Sequence, residues 1–107
     1  MANASRQKGL AGEREVRSIF EAQGFEVRGL ESTGDWLMLG RDGLVLHVES
    51  KRQETSRPWL WIAQAEADAP RGTIPVVAFR RNYSKWYAML SADLLAYLLG
   101  DKIEKVT

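Results

Sequence analysis

At 107 residues, with 45% hydrophobic and 27% charged side chains and a formal net charge of +1, the chain has the make-up of one soluble globular domain with a single core. Cysteine is absent and His47 is the only histidine, which excludes thiol nucleophiles, disulfide frameworks and Cys/His zinc sites. There is no Gly-rich phosphate loop and no Gly-x-Ser-x-Gly elbow. Carboxylate, lysine and hydroxyl chemistry is left, with or without a hard metal ion.

No apolar run approaches the roughly 20 residues that span a bilayer, and Met1 to Arg6 lacks a signal peptide's apolar core. A cytoplasmic protein with no membrane association is expected. The basic residues are unevenly placed: Arg6, Lys8, Arg14 and Arg17 crowd the first predicted helix, and Lys51, Arg52, Arg57, Arg71, Arg80 and Arg81 punctuate loops and strand ends. This pattern is compatible with phosphate binding, although solvated surface charge is the default reading.

The segment from about Ser5 to Gln23 has apolar residues at helical intervals, Leu10, Val16, Ile19 and Phe20, and Gly24 follows it. Glu13 falls close to the apolar stripe, whereas Arg14 and Glu15 point away. Phe25 to Leu30 alternates apolar and polar residues as a half-buried strand does. Glu31-Ser32-Thr33-Gly34 is a polar loop that leads into Asp35.

Two apolar runs follow, one beginning at Asp35 and one, Leu44 to Val48, ending in Glu49-Ser50-Lys51. Arg41-Asp42-Gly43 between them suits a three-residue hairpin loop with glycine at its left-handed position. A register symmetric about Asp42 sets Asp35 opposite Glu49, with Lys51 on the same face. Facing side chains there lie about 5 Å apart. Two carboxylates that close need a cation between them or a shared proton, and a hard divalent ion such as Mg²⁺ suits carboxylate and carbonyl oxygens. A solvated hairpin rim with a cross-strand ion pair is the plain alternative.

Arg52 to Arg57 is a polar loop, and Pro58 suits the start of a helix that continues from Trp59 to about Ala69. Ile74 to Phe79 is short, β-branched and apolar, the pattern of a central strand, and its crossover connection predicts parallel pairing with the Glu49 strand. Lys85 to Leu90 reads as a last strand, and Ser91 caps a helix that Gly100 closes. The whole chain, residues 1–107, reads as a single domain with frayed ends at about 1–5 and 101–107.

This order, together with an acid at the second strand and Glu-x-Lys at the third, resembles the PD-(D/E)XK nuclease superfamily. Within it, Lys8-Gly9-Leu10-Ala11-Gly12-Glu13 is similar to the Lys-Gly-x-x-x-Glu start of small Holliday-junction resolvases. The resemblance covers about residues 6–90 and implies an α/β fold: a restriction-endonuclease-like αβββαβ core whose mixed central sheet is flanked by helices, here with an added C-terminal strand and helix. Two departures stand out, Gly34 where the family pattern has proline and Trp36 where a smaller aliphatic residue is commoner. Trp36 reads as core in preference to a substrate contact.

The resemblance implies a Mg²⁺-dependent endodeoxyribonuclease, Mn²⁺ substituting, that hydrolyses phosphodiester bonds in branched DNA. The implied metal ligands are Asp35, Glu49 and the Ser50 main-chain carbonyl. Lys51, Glu13 and Gln64 complete the implied catalytic set. Arg6, Lys8, Ser32, Thr33, Arg52 and Arg57 are implied at DNA phosphates. A two-armed substrate favours a symmetric homodimer, for which Trp59 and Trp61 are candidates if they are not core. Recombination and repair are the implied settings. A non-specific or nicking nuclease of restriction or repair type, and a DNA-binding module of this fold without chemistry, are the alternatives.

Overall fold

The structure, a computed structural model, describes the backbone of residues 2–30 and 35–100 and the side chains of residues 12–29 and 35–100. The elements are α1 (Ala2–Glu21), β1 (Glu26–Leu30), β2 (Asp35–Leu39), β3 (Val45–Arg52), α2 (Pro58–Asp68), β4 (Ile74–Arg80), β5 (Tyr87–Met89) and α3 (Ala92–Leu99). This is the α/β architecture the sequence predicts: a central mixed sheet between helices, with an extra strand and helix at the C-terminal end. α1 begins ahead of the expected start near Ser5, and the tail 101–107 lies outside the described residues.

The five strands lie in the order β1-β2-β3-β4-β5. Pairing is antiparallel except between β3 and β4, where the α2 crossover makes it parallel. Between β2 and β3 the partners run from Leu39↔Val45 to Trp36↔Val48, the register symmetric about Asp42. Gly43 holds it in place: φ is 72° there and 60° at Asp42, so the turn Arg41–Gly43 takes two successive left-handed residues, which glycine and aspartate tolerate best.

Strand parity divides the sheet into two unlike faces. Met38, Leu46, Val48, Ile74, Val76 and Ala78 face α1 and α3 and form the larger core with Val16. The opposite face packs Val77 and Phe79 against Trp61 and Ala65 of α2. Each fully buried aliphatic side chain here contributes about 1.5–3 kcal/mol. The α2 side is thinner, and its sheet face is where Asp35 of β2 and Glu49 and Lys51 of β3 emerge.

One local reading changes. Glu15, expected to point away, accepts hydrogen bonds from Trp86 Nε1 at 2.9 Å and Arg80 Nη1 at 3.1 Å, and so ties α1 to the β4–β5 hairpin. Gly100 closes α3 as expected, its amide donating to the Ala96 carbonyl at 2.8 Å. Ser91 caps α3 as expected, its Oγ accepting from the Leu94 amide at 3.2 Å. No helix among the described residues is long and apolar enough to cross a membrane.

Candidate metal centre

Extending the β2–β3 register one step past Trp36↔Val48 brings Asp35 opposite Glu49. Both belong to the face turned toward α2, as do His47 and Lys51. Asp35, His47 and Glu49 form a group whose ligand atoms all lie within 4.8 Å of one another. His47 is 1% exposed and Glu49 4% exposed. His47 Nε2 stands 3.4 Å from Asp35 Oδ2.

The electrostatics follow from burial and like charge. The Glu49 carboxyl is pushed up to about 7, first by burial, then by the Asp35 charge, by a hydrogen bond with the Asp68 carboxyl and by its charge, against the pull of Lys51. Glu13 is also held above the usual carboxylate range, by burial and then by Asp35. Asp35 thus acts on both Glu13 and Glu49, and Lys51 acts on Glu49, even though Glu13 comes from the helix on the other side of the sheet.

One donor atom points to a cation. Glu49 Oε2 is buried without a hydrogen-bond partner, and such an atom costs about 1–3 kcal/mol. A divalent cation satisfies it directly and neutralises the repulsion between Asp35 and Glu49. The donor set of two carboxylates and an imidazole therefore fits a metal ion.

Other candidates take different places. Gln64 is exposed on α2, one turn ahead of Asp68. Ser50 pairs with Ala78 on the α1 side of the sheet, so only its main chain belongs to the hairpin end beside Glu49. Arg52 also lies on the α1 side, its Nε buried and unpartnered, while Arg57 is exposed just before α2. The side chains of Arg6 and Lys8, and the whole of Ser32 and Thr33, lie outside the described residues. Trp61 is core at 3% exposure and Trp59 is 86% exposed, which separates two residues the sequence left together.

His47 and Asp68 were not among the sequence candidates. For His47 the signal was parity: it sits two residues before Glu49 on one strand face. Asp68, itself exposed, follows the buried Trp61 and Ala65 at a helical interval, but its meeting with Glu49 depends on how α2 crosses the sheet. An α/β fold with an Asp/His/Glu cluster able to hold a metal ion at the end of its central hairpin is what fold and site together define. No protein-family model matches the chain, and no curated protein matches it either.

Proposed function

We propose that the protein is a metal-dependent phosphodiester hydrolase of the PD-(D/E)XK type acting on DNA, with branched or junction DNA as substrate. The observation that carries this reading is the Asp35, His47 and Glu49 cluster with Lys51 on the next residue of the same strand face. The order of helix, three antiparallel strands, helix and parallel strand supports it further.

Asp35 and Glu49 would hold the divalent ion, Mg²⁺ or Mn²⁺, with the Ser50 carbonyl available beside them. Such an ion, when bound, supplies Lewis acidity toward water and a phosphoryl oxygen. Lys51 contributes a fixed positive charge where negative charge builds up on the phosphoryl oxygens. Glu13, its carboxyl held above the usual carboxylate range by burial and by Asp35, is suited to accept a proton from water at the rim. Arg57 and the basic start of α1, with Arg6 and Lys8, supply phosphate contacts that make binding salt-dependent. A homodimer suits a substrate with two arms, and Trp59 and Leu60, exposed side by side on α2, are available to it.

The test is cleavage of a labelled four-way junction, a matched duplex and a single strand, each with Mg²⁺, with Mn²⁺ and with EDTA. Paired nicks on the junction that require the cation are the expected result. Cation-dependent cutting of all three substrates would retain the hydrolase and discard junction preference. Binding with no cutting under any condition would replace the enzyme by a DNA-binding module.

A further inference from the structure

We infer that His47 is itself a metal ligand, which makes this a mixed nitrogen–oxygen site selective for first-row transition-metal dications over Mg²⁺. The inference rests on the cluster holding a cation, and not on the reaction that cation serves. Three observations carry it.

The first is distance. His47 Nε2 and Asp35 Oδ2 are 3.4 Å apart, long for a hydrogen bond. Two donors bonded to one cation at about 2.1 Å, at octahedral to tetrahedral angles, lie roughly 3.0–3.4 Å from each other. The second is burial. His47 is the only histidine of the chain, and it is 1% exposed within β3. An imidazole is a costly choice for a strand interior that an aliphatic residue would fill. The third is register. Leu37↔His47 is the pair next to Asp35 and Glu49 on the same sheet face, so the pleat presents imidazole and both carboxylates to one volume.

Donor type then sets the ion. Mg²⁺ takes oxygen almost exclusively and demands near-ideal octahedral geometry. Imidazole nitrogen suits zinc, iron and their neighbours, with affinity lowest at Mn²⁺, rising to Cu²⁺ and falling again at Zn²⁺. Three side-chain donors leave coordination positions open, as sites that do chemistry require.

The experiment titrates the untagged full chain, stripped with EDTA, with Mg²⁺ and separately with Mn²⁺ by calorimetry, for the native protein and for His47→Gln. Pulsed EPR of the native Mn²⁺ complex reads whether a nitrogen nucleus is coupled to the metal. Mn²⁺ is expected to bind at least about tenfold more tightly than Mg²⁺. His47→Gln is expected to weaken Mn²⁺ by about 10- to 100-fold while changing Mg²⁺ much less, and the native complex is expected to show ¹⁴N coupling. Equal affinities for the two ions would overturn the inference. So would a Mn²⁺ complex without ¹⁴N coupling, even if His47→Gln bound poorly, because His47 would then only hold the Asp35 carboxylate in place. The EPR measurement needs no variant, so a poorly folding His47→Gln leaves the question decidable. Unselective cation binding with intact DNA cleavage overturns the inference alone, whereas no cation binding at all overturns it together with the hydrolase.

Discussion

Glu49 carries the greatest electrostatic burden of any described side chain, and its protonation links the site to stability. Its carboxyl is raised from 4.5 in the unfolded chain to about 7 in the fold, so between those values the folded state binds more protons than the unfolded state. The Glu49 contribution to stability is therefore full at low pH and is lost as pH rises through that window; Glu13, also raised, acts in the same direction. The melting temperature of the cation-free protein is expected to drop between pH 5 and pH 8, and Glu49→Gln to flatten that slope. An unchanged slope in the variant would assign it to other groups. Adding the divalent ion at pH 8 is expected to raise the melting temperature, because an ion that binds only the folded state stabilises it by mass action. Asp35, Glu49 and Lys51 were legible in the sequence because each breaks an apolar run at a strand end. His47 was not, since a lone histidine inside such a run looks like core until the neighbouring strand's register is known.

Among the elements, the hairpin of β2 and β3 was the most legible, because turn chemistry at Asp42 and Gly43 fixes its register without help from the rest of the chain. Helix α2 was less so. Its stripe of alanines and tryptophans left open which indole faces the sheet, and packing against Val77 and Phe79 decided for Trp61. Trp61→Ala is expected to cost about 3–5 kcal/mol and Trp59→Ala less than about 0.5 kcal/mol, both read by urea denaturation of the purified protein. Equal effects would contradict the assigned face of α2. Strand β1 supports the site from behind. A Cβ on Gly29 would meet the Trp36 ring at 2.9 Å, and Trp36 adjoins Asp35. Gly29→Ala is accordingly expected to destabilise the fold by about 1–3 kcal/mol and to weaken cation binding; an unaltered variant would show that the ring can move aside. On the far side, Glu15→Ala removes the acceptor shared by Trp86 and Arg80 and is expected to cost about 1–2 kcal/mol in the same assay.

At the level of the whole molecule, the sheet's two unlike faces explain why acids can gather at its centre. The α1 and α3 side supplies most of the core, which leaves the α2 side thin enough for Asp35, His47, Glu49 and Lys51 to stand together at the hairpin's end. The order of elements could be read in advance because each strand and helix has its own local period. The joining of Glu13 to Asp35 and of Asp68 to Glu49 could not, because each pair spans elements whose relative placement only packing determines. Assembly belongs to this scale too: if α2 forms a symmetric interface on branched DNA, sedimentation is expected to show a dimer that Trp59→Ala or Leu60→Glu weakens, and a monomer in both free and DNA-bound states would contradict it. The most direct test of the central claim is the rate of junction cleavage in saturating Mn²⁺ by the native chain and by the near-isosteric double variant Asp35→Asn/Glu49→Gln, with folding of both verified by circular dichroism. The cluster as a metal-dependent hydrolase predicts cleavage by the native protein and a loss of about 1,000-fold or more in the variant, since the ion's contribution is worth several kcal/mol and each 1.36 kcal/mol is tenfold in rate. Cleavage at the native rate by a well-folded variant would contradict it.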